Sequence, residues 1–217
     1  MEDDIREEKI ILNHEENITY SRFYKNNILY REEWLQNGLA RYDQDLPAYI
    51  YYYENGNKEK EIWYRHEEKE EGGTVLPDTI YYYENGTIKC VHINIDDNGA
   101  DLVVKGYYEN GNKKFESWRN FDQLHREGDL PAVINYYENG NKERESWFMH
   151  GYEWRDDDKP SDIKYYENGN IKQEKWIDCM SIDRENNLPA FIKYDENGNK
   201  KHEEWWVDDV FIRSVDY

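Results

Sequence analysis

The sequence predicts an all-β protein: an elongated array of antiparallel β-hairpins forming one continuous twisted sheet, about seven repeats of 29 residues. Three observations predict it. A Tyr-Glu-Asn-Gly string or a close variant recurs, with its glycine at Gly56, Gly86, Gly111, Gly140, Gly169 and Gly198. Each string lies between two runs rich in β-branched and aromatic residues, the signature of strands joined by a tight turn. No stretch of helical periodicity survives between the Asn-Gly steps.

The repeats follow in order. The glycine spacings are 30, 25, 29, 29 and 29, and one further step back falls on Asn27, in a decayed copy. Leu-Pro-Ala keeps the same period at Leu46-Pro47-Ala48, Leu130-Pro131-Ala132 and Leu188-Pro189-Ala190. A third marker is Trp34, Trp63, Trp118, Trp147, Trp176 and Trp205, each two residues after Glu32, Glu61, Glu116, Glu145, Glu174 or Glu203. Cutting at the proline position gives repeats 18–46, 47–76, 77–101, 102–130, 131–159, 160–188 and 189–217. The third is short, and Ile93 replaces its Trp. Residues 1–17 align with the second half of a repeat, with Ile5 at the Trp position and Asp3 at the Glu position. They read either as a half-repeat cap before an 18–217 array or as a disordered acidic tail.

Within Pro47–Tyr64, Tyr49 to Tyr53 form one strand and Lys58 to Tyr64 the return strand. Asn55-Gly56 predicts a two-residue type I′ turn, whose central residues both need positive φ. That turn pairs Glu54 with Asn57, Tyr52 with Glu59, Ile50 with Glu61 and Ala48 with Trp63. Directly paired residues share a face, so Ala48, Ile50, Tyr52, Glu61 and Trp63 lie together. This face repeats as Ala132, Ile134, Tyr136, Glu145 and Trp147 and again as Ala190, Ile192, Tyr194, Glu203 and Trp205. The opposite face drifts, Tyr51 becoming Asn135, Lys164 and Lys193. The constant face is therefore the packed one, and the six Trp and six Glu form a structural ladder. The drifting face, with Tyr49, Tyr51, Tyr53, Tyr81, Tyr83, Tyr137 and Tyr166, is the candidate interaction face, since Tyr is a common interface anchor. The dozen residues after each Trp hold Leu39, Leu124, Ile182 and Phe211 and a recurring Arg at 41, 126, 155, 184 and 213. They read as a second, shorter hairpin or a loop folded over the Trp face.

The Tyr-x-Glu-Asn-Gly-Asn-x-Lys-x-Glu-x-Trp pattern, clearest at Tyr108 to Trp118 and Tyr137 to Trp147, resembles the variant class of MORN (membrane occupation and recognition nexus) repeats. It is most similar to the Glu-Asn-Gly-Asn arrays of large DNA viruses, and more distantly to bacterial antitoxins of the variant class. The resemblance covers residues 18–217. It departs in repeat length, and segments such as Leu124-His125-Arg126 replace the usual second glycine motif. The resemblance implies a β-hairpin array that contacts protein or lipid, with no catalysis by the repeat. Abundant Asn, Lys, Ile and Tyr suit an AT-rich genome.

Composition excludes several functions. A formal charge of −20 with low hydropathy is normally a disorder signature, but 16% aromatic residues indicate a folded aromatic core. The same charge excludes a basic nucleic-acid patch and disfavours anionic membranes. No apolar stretch is long enough to span a bilayer. The acidic Met1-Glu2-Asp3-Asp4 start is unlike a signal peptide, and Cys90 and Cys179 are too few for a disulfide framework. These point to the cytoplasm, host cytoplasm for a viral protein. His14, His66, His92, His125, His150 and His202 lack zinc spacing, and Asp96-Asp97-Asn98-Gly99 reads as a turn rather than a calcium loop. No cofactor or metal is expected.

Six equivalent carboxylates argue against an active site, which needs one special pair in a cleft. The Glu and Arg series read as an internal Glu–Arg salt-bridge ladder, or as an acidic binding strip. Two function classes follow. One is a non-catalytic scaffold for protein–protein interaction. The other is an acidic inhibitor, immunity-like or a DNA mimic, steered to a basic partner such as a nuclease. The apolar segment 210–217 predicts that the C-terminal edge is covered, by its own chain or by a second copy in a homodimer.

Overall fold

The computed structural model describes residues 4–40, 46–64, 78–94, 101–178, 181–184 and 186–217. Arg41, His66, the 96–99 turn and Cys179 lie outside them. The chain divides into two compact units, Met1–Asp97 with Glu109–Gly111, and Asn98–Tyr108 with Asn112–Tyr217. All the described regular structure is strand, and every pairing is antiparallel. The first unit holds β1 (Ile5–Asn13), β2 (Ile18–Lys25), β3 (Ile28–Gln36), β4 (Leu39–Ala40), β5 (Tyr49–Tyr52), β6 (Lys58–Ile62), β7 (Thr79–Tyr82) and β8 (Ile88–Asn94). The second opens with β9 (Asp101–Tyr107), β10 (Lys113–Asn120), β11 (Gln123–Leu124), β12 (Val133–Tyr136), β13 (Lys142–Ser146), β14 (Phe148–Met149) and β15 (Tyr152–Glu153). It continues with β16 (Asp162–Tyr165), β17 (Ile171–Lys175), β18 (Ile177–Asp178), β19 (Ser181–Ile182), β20 (Phe191–Tyr194), β21 (Lys200–Val207) and β22 (Val210–Asp216). Eighteen strands belong to the antiparallel sheet, and β14–β15 and β18–β19 are separate two-stranded ribbons.

Among the described residues, a long hairpin is followed by a short one at β3–β4, β10–β11, β14–β15 and β18–β19. The long hairpin keeps the expected face: Ile50 lies opposite Glu61, Ile134 opposite Glu145 and Ile192 opposite Glu203. Ala48, Ala132 and Ala190 are fully buried beneath the tryptophans, and Trp176, Ala190 and Ile192 form a core cluster. The turn itself differs from the sequence expectation. Gly56 has φ 86°, but Asn55 keeps negative φ. Tyr53 O accepts from Gly56 N at 3.0 Å, and Tyr53 N donates to Asn57 O at 2.9 Å. This is a three-residue loop, a tight turn closed by a left-handed glycine. Tyr52 consequently pairs with Lys58, not Glu59, and a bulge at Glu59 restores register so that Tyr51 meets Lys60. The same bulge recurs at Lys89, Lys114, Glu143, Lys172 and Lys201. Loop and bulge each shift the pairing by one residue and cancel, so the predicted faces survive the wrong turn.

Type I′ turns do occur, in the short hairpins: Asn37-Gly38, Phe121-Asp122, His150-Gly151 and Asp208-Asp209 all have two successive positive φ values. The short hairpins stack on one another. Gly151 N donates to Leu124 O at 2.8 Å, and the His125 and His150 rings stack at 4.4 Å.

The ends depart from strict repetition. β1 pairs with β2 from Ile5–Lys25 to Asn13–Ile18. Glu8, not Asp3, takes the ladder Glu slot, opposite Arg22, which also pairs Glu32. Ile10, not Ile5, takes the Trp slot, opposite Tyr20 as Trp34 is. Counting back by 29 misplaces both because β1 joins β2 directly, with no short hairpin between them, and the two-residue Asn26-Asn27 turn shortens the first hairpin by one residue more. At the other end β22 folds back along β21. Val215 lies opposite Glu203 as Ile192 lies opposite Glu174. β22 therefore takes the place of the first strand of a following repeat.

Candidate interaction surface

On the packed face the repeats build the same polar rung, except the third, where Val91 stands opposite Ile80 in the place of the Glu. Glu61, Glu116, Glu145 and Glu203 are buried. The hydroxyl of a tyrosine on the adjoining strand donates to each: Tyr82 to Glu61, Tyr136 to Glu116, Tyr165 to Glu145 and Tyr194 to Glu174, all at 2.6 Å, and Tyr217 to Glu203. Lysines three residues earlier, across the bulge, add charge: Lys142 to Glu145 at 2.6 Å and Lys113 to Glu116 at 3.1 Å. Glu174 has Ile171 in that place. Burial alone pushes the Glu116 carboxyl up, but the Tyr136 and Lys113 hydrogen bonds outweigh it and hold it below the usual carboxylate range. Burial, then the Glu145 hydrogen bond, pushes the Tyr165 hydroxyl up.

This corrects the Glu–Arg ladder. Apart from Arg22, 3.1 Å from Glu32, the ladder carboxylates take lysine and tyrosine. The recurring arginines stack on the tryptophans instead: Arg126 on Trp118 at 3.5 Å, Arg155 on Trp147 at 3.8 Å, Arg184 on Trp176 at 3.7 Å and Arg213 on Trp205 at 3.6 Å. Arg126, Arg155 and Arg184 each donate to the carbonyl of the following proline, Pro131, Pro160 or Pro189. Arg155 and Arg184 also pair with Asp129 and Asp158. A planar guanidinium suits ring stacking, and the short hairpin carries it there. Trp34 stacks on Tyr20 instead, and Trp63, like Trp34, is only partly covered.

The opposite face holds the seven candidate tyrosines, all half-buried. Tyr53, Tyr137 and Tyr166 donate their hydroxyls to the backbone carbonyls of Tyr82, Tyr165 and Tyr194 at 2.8 Å. Lysine ammoniums cover several rings, among them Lys60 over Tyr51, Lys89 over Tyr83 and Lys172 over Tyr166. Tyr49 packs edge-on against Tyr64, and Tyr81 packs against His92. Below this face the turns are laced: Asn57 and Asn170 donate to Glu84 O and Glu196 O at 2.7 Å, as Asn141 does to Glu167 O. The side chains of Glu54, Glu84, Glu138, Glu167 and Glu196 remain exposed at the turn tips. With two strands per repeat, successive tips lie about 10 Å apart.

One slot breaks the pattern. Two residues before the stacking arginine stand Leu124 and Ile182, but also Glu153. Glu153 Oε1 is buried with no hydrogen-bond partner among the described residues. Burial, then the nearby Asp162, pushes its carboxyl up to about 7. Asp162, itself at a site held elsewhere by Val133 and Phe191, is buried but satisfied by Arg144 and by Ser146 Oγ at 2.8 Å. Sequence periodicity carried this signal, as two acids standing out of apolar columns.

Among the described residues no cluster of three or more His, Cys, Asp or Glu is placed to hold a metal ion, and no helix is long and apolar enough to cross a membrane. Compared with known families, residues 100–117 and 163–175 match the MORN repeat variant. The matches fall on β9–β10 and β16–β17, two of the long hairpins described above. A search of the curated proteins finds no match to the chain.

Proposed function

We propose that this MORN-variant array is a non-catalytic scaffold that binds another protein through its tyrosine–lysine face and the acidic turn tips beside it. The observation that carries the reading is how the ladder groups are used. Glutamate, tyrosine, arginine and tryptophan on the packed face satisfy one another between neighbouring strands. What the chain presents outward is periodic: half-buried rings under lysine, bordered by carboxylates at a fixed spacing. Equivalent copies favour an extended contact over a single reactive cleft. The formal charge of −20 favours a basic protein partner over nucleic acid or an anionic membrane. Cys90, a free thiol, suits a reducing compartment such as the cytoplasm.

The same charge supports a second reading, an acidic inhibitor of a basic enzyme such as a nuclease. Capture of partners from the native cell, followed by crosslinking and mass spectrometry, tests both. The scaffold reading expects crosslinks at Lys60, Lys89 and Lys172, and retention at raised salt. Capture that vanishes with salt and inhibits a basic enzyme supports the second reading. Crosslinks confined to the short hairpins contradict the proposed face.

A further inference from the structure

Among the described residues β1 pairs with β2 alone, and β22 with β21 alone. Their roles in the repeat are complementary. β22 stands in for the first strand of a long hairpin, with Val215 in the Ile slot, and no second strand pairs with its other edge among the described residues. β1 supplies a second strand, with Glu8 in the Glu slot and Ile10 in the Trp slot, and no first strand pairs with its other edge among the described residues. We propose that the open edge of β22 pairs with the open edge of β1 in a second copy of this chain, completing a long hairpin between molecules. The proposal is independent of the partner-binding face.

The repeat supplies the register. Ile opposite Glu, as in Ile134–Glu145 and Ile192–Glu203, sets Val215 opposite Glu8 of the second copy. Ser214 then meets Lys9, Asp216 meets Glu7, Ile212 meets Ile11 and Phe211 meets Leu12. Two further features agree. In an antiparallel ladder, alternate residues bond to the neighbour and the rest point away. Tyr217 N bonds inward to Lys201 O at 3.1 Å, so Ser214 and Asp216 direct their backbone groups outward. Asn26 N bonds Asp4 O at 2.8 Å, so Glu7 and Lys9 direct theirs outward. The register joins outward groups to outward groups, where a slip of one residue joins outward to inward. It also covers apolar side chains that are otherwise half in water: Ile11 is 50% exposed, Leu12 52%, Phe211 50% and Ile212 55%.

Charge fits as well. In a chain of net −20, β1 balances Arg6 and Lys9 against Glu7 and Glu8, and β22 balances Arg213 against Asp216. The diagonal pairs Arg213–Glu8 and Asp216–Lys9 attract, and only Asp216–Glu7 repels. The contact is heterologous, so each added copy leaves one edge of each kind open and growth continues. Repulsion between whole molecules opposes it, and salt relieves that repulsion.

Proline on the outward phase of an edge strand blocks docking without removing an inward hydrogen bond. Light scattering and sedimentation of the wild-type chain over a concentration series should show association that grows with salt. Ser214→Pro and Lys9→Pro should each be monomeric alone, and an equimolar mixture should give a single one-to-one dimer from the two unblocked edges. Glu7→Lys, which leaves the backbone intact, should tighten association of the wild-type chain about threefold. A wild-type monomer at every salt and concentration overturns the proposal. So does self-association of either proline variant, or failure of the folded pair to combine. None of these outcomes bears on crosslinks at the tyrosine–lysine face.

Discussion

The first unit contains the same dipeptide in two different turns. Asn37-Gly38 closes a short hairpin with φ 53° and 77°, and Gln36 pairs directly with Leu39. Asn55-Gly56 closes a long hairpin with only the glycine at positive φ. The difference lies in what captures the asparagine. Asn55 Oδ1 accepts from Asn57 N, and the carboxamides of both asparagines donate to Glu84 O in the next hairpin, each bond within 2.9 Å. Asn37 is followed by Leu39, which offers no such side chain. Asn-Gly therefore marks a chain reversal, and side-chain capture accompanies the longer loop: at Asn197-Gly198, with no long hairpin after it among the described residues, Asp195 Oδ1 accepts from Asn197 N and Asn199 N.

The comparison breaks first at the residue joining the two kinds of hairpin. Trp147, buried between β13 and β14 under Arg155, should cost about 3–5 kcal/mol on Trp147→Ala in denaturant unfolding. A loss under about 1 kcal/mol would show that the two hairpins are not packed through it. Tyr165→Phe removes the donor to buried Glu145 and should cost about 1.5–3 kcal/mol, the range for a hydrogen bond to a charged group. The turns themselves are distinguished by glycine. Asn37→Gly should stay within about 0.5 kcal/mol, because positive φ suits glycine. Asn139→Gly should cost about 1 kcal/mol, because the Asn139 side chain holds Asn141 N at 2.9 Å. The reverse order would contradict the capture argument.

A pH series sharpens the comparison among the short hairpins. A carboxyl held near 7 when folded, against an ordinary value near 4.5, keeps its proton in the folded state across that window. Stability should therefore be full below about pH 4.5, fall as pH rises towards 7 and stay flat above. Glu32, Glu116 and Glu203 act oppositely. Their lowered carboxyls contribute stability above the ordinary value that is lost as pH falls through the folded one. Glu153→Leu, which restores the residue type of Leu124, should abolish the fall between 4.5 and 7 and leave the acid limb. An unchanged profile would rule out Glu153 as the group responsible. A small effect is also expected at Lys142→Ala, since the side chain is 48% exposed and such pairs contribute up to about 1 kcal/mol.

The constant face of the array was legible because periodicity and pairing agree there: Ala, Ile, Tyr, Glu and Trp recur at fixed offsets. The turn was not legible, because one extra loop residue and one bulge leave the distal pairing unchanged. The rung chemistry was half legible. Glu61 and Trp63 announce themselves by repetition, but the tyrosine that satisfies each glutamate lies about 20 residues on, with an arginine at a competing offset. Only the sheet register tells the two apart. Glu8 was missed because a fixed count assumes connections of equal length, and β1 joins β2 without a short hairpin.

An asparagine followed by glycine is chemically labile. The glycine nitrogen attacks the carboxamide carbon, a succinimide ring closes and ammonia leaves. In the long hairpins that nitrogen is already engaged, Gly56 with Tyr53 O at 3.0 Å and Gly140 with Tyr137 O at 2.9 Å. Ring closure must first break the turn. The folded array thus stores its most perishable residues in the conformation in which they age slowest, and the aspartate that accumulates at these sites becomes a clock of how long each hairpin has spent open.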